Sequence, residues 1–364
     1  MSIRRLVGFG RGWRGGGRID VVESTMPCPD GQSVSVTTFA PPGVHGVPGW
    51  IALHGITVPG RHHPSLVRFA RAMAASGAVV VIPEVARWRD LRLDIDDGTR
   101  VVNAAIEALD RDARTAGRPG LIGFSFGGPQ VIRLAADDTV GPRLSGVASF
   151  GGFADIEVGL RFQMTGRIRT PEGERFLRPD PYARWIFAAN FLPHVTGEGA
   201  FVPVADALHA LALEAGTRRT PAWDAMYDPL KSDLEAALPD EEARSLFRFF
   251  APDAEQDPNP DHPAVEAWVT RLTTAARRIE PRIEVPEGLE LHAPAHIIHG
   301  RSDRLFPFTE SEALAARIAS PRPTRTITGL FAHSSSEGGG GIGAAVESVR
   351  LANALRRVLG IPGN

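Results

Sequence analysis

Cysteine is nearly missing from this chain. Cys28 is the only one in 364 residues, so no internal disulfide can form, and the redox evidence points to the cytoplasm. Lysine is as scarce: Lys231 is the only one, and the arginines that carry the other positive charges are scattered without forming a stripe or patch. Neither sign of charge is in excess, since 40 basic against 42 acidic residues leave a formal charge of -2. That balance gives no global field for nucleic acid or anionic lipid. Long apolar runs are absent as well, so no membrane span is expected. What is present, 43% hydrophobic and 23% charged residues, is the balance of a globular protein able to bury a substantial core.

The first residues combine Arg4-Arg5 with glycine-rich sequence. An export signal needs an apolar stretch of about 7 to 15 residues after its charges, whereas Val7, Gly8 and Phe9 give way at once to Gly10, Arg11 and Gly12. An Arg-Gly tail over Arg11 to Arg18 could be imagined to bind RNA, but no nucleic-acid partner is expected. Residues 1–17 read as a poorly ordered or loosely draped terminus, because glycine-rich ends have little apolar surface to bury.

From Arg18 onward, short apolar runs alternate with longer helical stretches, the rhythm of a mostly parallel sheet with crossover helices. Ile19 to Thr25 and Ser33 to Phe39 read as an antiparallel hairpin around Pro29, Asp30 and Gly31. Trp50 to His54, Ala78 to Pro83, Gly120 to Phe124 and Leu144 to Phe150 read as further strands. Helical spacing fills Ser65 to Ala75 and Asp97 to Arg114. After Gly152 the sequence turns helical, aromatic and proline-interrupted, with candidate helices near Pro181 to Phe191, Val202 to Glu214, Glu241 to Phe250 and Pro263 to Arg278. Strands resume at Ala295 to His299 and Arg325 to Thr328, and a helix from Ile342 to Leu359 follows. The expected organisation is an α/β core made of residues 1–152 and 292–364, interrupted by a helical cap over residues 153–291.

The most informative segment is Gly120-Leu-Ile-Gly-Phe-Ser-Phe-Gly-Gly128, an apolar strand running through G-x-S-x-G into a helix. Glycines at 123 and 127 permit a tight strand-to-helix turn that lifts the Ser125 hydroxyl above the sheet edge. The helix N-terminus behind it favours developing negative charge. Serine is a weak nucleophile and needs a base with an orienting acid. Asp303, just past a strand in His299-Gly300-Arg301-Ser302-Asp303, and His333, in Gly329-Leu330-Phe331-Ala332-His333 after the next strand, supply them in the order Ser, Asp, His. Asp155 is a competing acid. The backbone amides of Phe126 and of Ile56, in the loop Leu53-His54-Gly55-Ile56-Thr57, are the candidate oxyanion donors. His54 is read as a brace for that loop. His62 and His63 lack the carboxylate pattern of a metal site, so no metal or cofactor is expected.

These residues resemble the α/β-hydrolase superfamily, in particular serine hydrolases with a helical cap after the sixth strand. The resemblance spans almost the whole chain. It implies a mostly parallel eight-stranded sheet flanked by helices, with Ser125, Asp303 and His333 as catalytic triad and Ile56 and Phe126 at the oxyanion hole. The loop reads His54-Gly55-Ile56, not the H-G-G-G of the hormone-sensitive-lipase type. Serine at the elbow separates the chain from haloalkane dehalogenases, which use aspartate, and from dienelactone hydrolases, which use cysteine. The activity implied is hydrolysis of a small carboxylic ester. Thioesters, lactones, amides and carbon-carbon bonds can be cleaved by the same parts, and a non-catalytic receptor can keep the same fold. Cap aromatics Phe162, Trp185, Phe187, Phe191, Trp223, Tyr227 and Phe250 are candidates either for a pocket or for the cap's own core.

Overall fold

Five-residue runs such as Val79–Pro83 and Gly49–Leu53 are buried at every position, the signature of strands covered on both faces by helices. In the computed structural model, which describes residues 3–28, 30–195, 201–329 and 342–360, these runs form one eight-stranded sheet. Its strands are β1 (Asp20–Pro27), β2 (Ser33–Ala40), β3 (Gly49–Leu53), β4 (Val79–Pro83), β5 (Gly120–Phe124) and β6 (Gly146–Phe150). A small hairpin, β7 (Arg167–Thr170) and β8 (Gly173–Phe176), and the short β9 (Leu289–Glu290) precede β10 (Ala295–Gly300). The short β11 (Ile318–Ser320) and the edge strand β12 (Thr324–Thr328) complete the set.

Spatial order in the large sheet is β1-β2-β4-β3-β5-β6-β10-β12. β2 is antiparallel to both of its neighbours, and all other pairings are parallel. The chain moves from β3 outward to β4, then returns to place β5 on the other side of β3. That reversal opens a crevice at the carboxyl ends of β3 and β5, where doubly wound sheets bind ligands.

The helices are α1 (Ile3–Trp13), α2 (Pro64–Ala75), α3 (Ala86–Arg89), α4 (Ile95–Arg111), α5 (Gly127–Ala136) and, after β6, α6 (Ile156–Thr165). Then come α7 (Tyr182–Phe191), α8 (Val202–Arg218), α9 (Asp228–Ala236), α10 (Glu241–Phe250) and α11 (Val265–Ile279), with α12 (Thr309–Ala316) and α13 (Ile342–Gly360) after β10 and β12. Strand alternation divides the core. Trp50 and Ala52 of β3 join α1, α2 and α13 on one face, while Ile51 and Leu53 join α4 and α5 on the other.

The start of the chain departs from the expected loose terminus, because residues 3–13 are helical and seated on α2. Gly8 and Gly12, four residues apart, lie on one face of α1. A Cβ on Gly8 would stand 2.4 Å from the Ala75 carbonyl oxygen, and one on Gly12 would stand 2.6 Å from the Ala75 Cβ. The missing side chains therefore let two helices touch backbone to backbone. Phe9 is buried there, edge-on to Phe69 at 5.7 Å, and Arg68 lies over the Trp13 ring while its Nε donates to the Trp13 carbonyl at 2.8 Å.

Between β6 and β10 the inserted segment holds helices α6 to α11 and the β7–β8 hairpin. Its interior is tied by Arg184, whose side chain donates to the Phe250 carbonyl (2.8 Å) and the Gln163 carbonyl (2.8 Å) and pairs with Asp257 at 2.9 Å. Both charged partners are almost wholly buried, at 2% and 3% side-chain exposure. Where β6 leaves the sheet, the buried Glu310 of α12 accepts the backbone N–H groups of Ala154 (3.0 Å) and Asp155 (2.8 Å). Burial pushes its carboxyl up to about 7, against the pull of those two hydrogen bonds. Among the described residues, no helix is long and apolar enough to cross a membrane.

Candidate active site

Ser125 occupies the turn between β5 and α5 in the left-handed region, with φ 52°. A non-glycine residue there stores strain of about 1–3 kcal/mol and must be held in place by its surroundings. Two hydrogen bonds do so: the Ser125 N–H donates to the Phe150 carbonyl on the neighbouring strand, and the Gly128 N–H donates back to the Ser125 carbonyl, both at 2.8 Å. The turn is so tight that a Cβ at position 123 would fall 2.0 Å from the Gly127 carbonyl oxygen, which is why glycine stands there. Ser125 thus sits at the crevice where the strand order reverses, at the tip of a tight strand-to-helix elbow. The fold is that of the α/β-hydrolases.

Beside this α/β-hydrolase elbow runs the loop after β3. Its Gly55 backbone is so close that a Cβ there would lie 3.0 Å from the Ser125 Cβ and 3.6 Å from its Oγ. His54 is buried and its Nδ1 is 2.7 Å from the Gly55 carbonyl oxygen. A carbonyl can only accept, so Nδ1 carries the hydrogen, whatever the state of the other ring nitrogen. Anchoring that carbonyl turns the N–H of the same planar peptide, which belongs to Ile56, to the opposite side. On the far edge of the ring, Nε2 faces the Val85 N–H at 3.0 Å and the Glu84 carboxylate at 3.2 Å. Burial works to raise the Glu84 pKa, but hydrogen bonds with His54 and Arg61 outweigh it and hold the carboxyl below its ordinary value. Arg61 bridges Glu84 (2.8 Å) to Glu23 (3.0 Å), so the whole loop is pinned from β1 and from the end of β4. The second donor candidate, Phe126, directly follows the serine and immediately precedes α5.

Asp303 lies three residues beyond β10 and is 1% exposed. Its Oδ1 accepts the N–H groups of Leu305 (2.8 Å) and Phe306 (3.2 Å), and its Oδ2 is 3.3 Å from Nε2 of the equally buried His299. The competing acid, Asp155, is otherwise engaged. It caps α6 by accepting from Glu157 N–H (2.8 Å) and Val158 N–H (3.3 Å), and Arg277 and Arg317 flank it at 3.5 Å each. His333 lies outside the described residues. Among those described, no group of three or more His, Cys, Asp or Glu side chains is arranged to hold a metal ion.

Ser125, Ile56 and Phe126 open onto one pocket, shared between the sheet's carboxyl edge, α6, α7 and the loop after β10. Its walls are apolar, with Phe153, Ile186, Phe187 and Phe306 prominent, and Gln163 and Tyr182 adding the polar atoms. Of the aromatic residues singled out in the insert, Phe187 lines the pocket. Phe162, Trp185, Phe191, Tyr227 and Phe250 are buried within the hydrophobic interior, and Trp223 lies beneath the Arg304 guanidinium at 5.1 Å. Phe153 and Phe306, stacked at 4.5 Å, were not singled out by the sequence. Phe153 lies three residues past the end of β6 and Phe306 three residues past Asp303, and that nearness in sequence is the signal that could have found them.

No family model and no curated protein matches the chain. Among solved structures it is similar to a brefeldin A esterase, described as a bacterial homologue of human hormone-sensitive lipase, at 16% identity and a TM-score of 0.44 over 98% of this chain and 82% of that one. It is similar to an esterase of Pyrococcus furiosus at 14% identity and a TM-score of 0.46, over 94% of both chains. Oligopeptidase B from Trypanosoma brucei matches at 12% identity and a TM-score of 0.46 over 94% of this chain but 37% of that one. The strand order and elbow of this chain define its fold by themselves.

Proposed function

We propose that this chain is a serine hydrolase that cleaves carboxylic esters through an acyl-enzyme on Ser125. His333 accepts the Ser125 proton as Oγ attacks the ester carbonyl, and Asp303 orients the imidazole and stabilises its positive charge. The tetrahedral oxyanion forms against the N–H groups of Ile56 and Phe126. Collapse expels the alcohol, which takes its proton from His333. A water molecule, deprotonated by the same histidine, then attacks the acyl-enzyme, and the acid leaves as Ser125 regains its hydrogen.

The observation that carries this reading is the left-handed turn at Ser125, which opens into an apolar pocket at the sheet's switch point. A lining of phenylalanine, leucine and isoleucine fits an ester whose acyl or alcohol part is apolar. Residues 1–152 and 292–364 supply the reacting groups in this reading, and residues 153–291 act as a cap that contributes much of the pocket wall.

A fluorophosphonate probe tests the proposal. One equivalent should attach to Ser125, and the Ser125→Ala variant should take none. Esters of graded acyl length should turn over with ping-pong kinetics. A folded wild-type chain that neither takes the label nor hydrolyses any ester, thioester or amide would leave a ligand-binding protein on a hydrolase fold.

A further inference from the structure

One face of α6 forms part of the wall of the pocket onto which Ser125 opens. Ile156, Gly159, Leu160 and Gln163 follow one another at helical spacings of three and four, and all four line the pocket. Ile156 and Leu160 are apolar and Gly159 has no side chain, which leaves Gln163 as the polar member of this face. It is 2% exposed, and its amide nitrogen donates to the carbonyls of Arg304 and Leu305. Carbonyls only accept, so these two bonds fix which end of the amide is nitrogen and occupy both of its hydrogens. The other end, Oε1, is shielded from solvent, and no donor among the described residues reaches it. The backbone at this position is held as well, by the buried Arg184 on the Gln163 carbonyl. Tyr182, also on the wall, has its hydroxyl beside Val58 and Gly216 instead.

We propose that Gln163 is a specificity-determining residue, whose Oε1 accepts a hydrogen bond from a hydroxyl or N–H group carried by the substrate. The preferred ester is then apolar for most of its length, with one donor placed against α6. A buried acceptor without a donor is a standing cost, and a bound group that supplies the hydrogen removes it, a gain of about 10- to 100-fold in affinity or rate. Because both amide hydrogens are already engaged, a substrate that offers only an acceptor, such as an ether oxygen, gains nothing here. This selection rests on the serine-hydrolase reading, since it concerns what fills the pocket while Ser125 attacks.

The test uses pairs of esters that differ in one donor hydrogen. Methyl hexanoate is given a hydroxyl on the carbon next to the carbonyl, on the following carbon or at the chain end, or an acetamido group at the chain end. Butyl hexanoate is given a hydroxyl at the end of the butyl chain. Each is paired with its O-methyl or N-methyl derivative, which accepts but does not donate. Two readouts are taken on every pair: kcat/KM, and protection of Ser125 against a fluorophosphonate. The expected result is a pair in which the donor-bearing ester exceeds its methylated partner by about 10- to 100-fold in kcat/KM, with better protection. In Gln163→Met and Gln163→Leu that ratio should fall close to unity. The ratio is the decisive quantity, because Gln163 also ties down the turn at Arg304 and Leu305, and a loosened turn slows both members of a pair alike. Phe187→Leu, which alters an apolar part of the same wall, should keep the ratio; an equal loss there would assign the preference to pocket shape and overturn the role. Wild type that favours the donor in no pair, by either readout, overturns it too, whether or not the Gln163 variants fold. So does a preference that persists undiminished in Gln163→Leu. If wild-type Ser125 takes no fluorophosphonate and no ester is cleaved, the serine-hydrolase reading falls instead, and this selection with it.

Discussion

Glu310 makes the stability of this protein depend on pH in a direction opposite to that of most carboxylates. Its pKa in the folded chain is about 7, raised from an ordinary value of 4.5 mainly by burial. Between those two values the folded state keeps a proton that the unfolded state has released, so stability must fall as pH rises through the window. Below pH 4.5 both states are protonated and there is no penalty. Above about 7 the penalty is complete, and 1.36 kcal/mol per pKa unit over this interval makes it about 3 kcal/mol. Glu310→Gln keeps an oxygen to accept the Ala154 and Asp155 N–H groups and removes the ionisation. Asp180, also buried and raised to about 6, adds a slope of the same sign. The informative quantity is therefore the difference between variant and wild type, in which a remote contribution cancels. Urea unfolding at fixed ionic strength should find Glu310→Gln gaining on wild type as pH rises from 4.5 to 8, with most of the gain complete just above 7. A difference that stays constant across that range would refute the reasoning.

Five other substitutions have distinct expected outcomes. Asp303→Asn should abolish most of the esterase activity proposed above. Asp155→Asn should leave activity largely intact, and the reverse ranking in kcat/KM would transfer the orienting role to Asp155. Gly12→Val forces a side chain against Ala72 and Ala75 of α2, and overpacking of that kind costs about 1–3 kcal/mol. Denaturant midpoints should drop, whereas Gly10→Ala, at a position with open space around it, should not lower them. Arg184→Ala leaves Asp257 buried without its partner, which typically costs about 3–5 kcal/mol; a melting temperature within a degree of wild type would show the pair to be dispensable.

Strands β3, β4, β5 and β6 were legible because short apolar runs bounded by turns have few other destinations in an α/β chain. Gly120–Phe124 matches its expected bounds to the residue. The position of Ser125 on a strand-to-helix turn was legible for a related reason, since the glycine at 123 is demanded by a backbone contact within the motif itself, whereas Gly127 faces Leu53 and His54 of the neighbouring strand and loop. What could not be read was decided by tertiary partners. Gly8 and Gly12 look like chain-breakers until Ala72 and Ala75 are placed opposite them. The β7–β8 hairpin has polar, mostly exposed strands with no apolar alternation to announce it. Helix α6 carries Gly159 in its middle, where an added Cβ would meet the Phe306 ring at 2.8 Å, so its weakest residue by propensity is a packing requirement.

Gln163 ties the insert to the acid-bearing turn. From α6 its amide nitrogen donates to the carbonyls of Arg304 (2.9 Å) and Leu305 (2.6 Å), one and two residues past Asp303. In the serine-hydrolase reading proposed above, with residues 153–291 as a cap, these two bonds mean that the cap cannot swing away as a rigid body without pulling on the turn that carries Asp303.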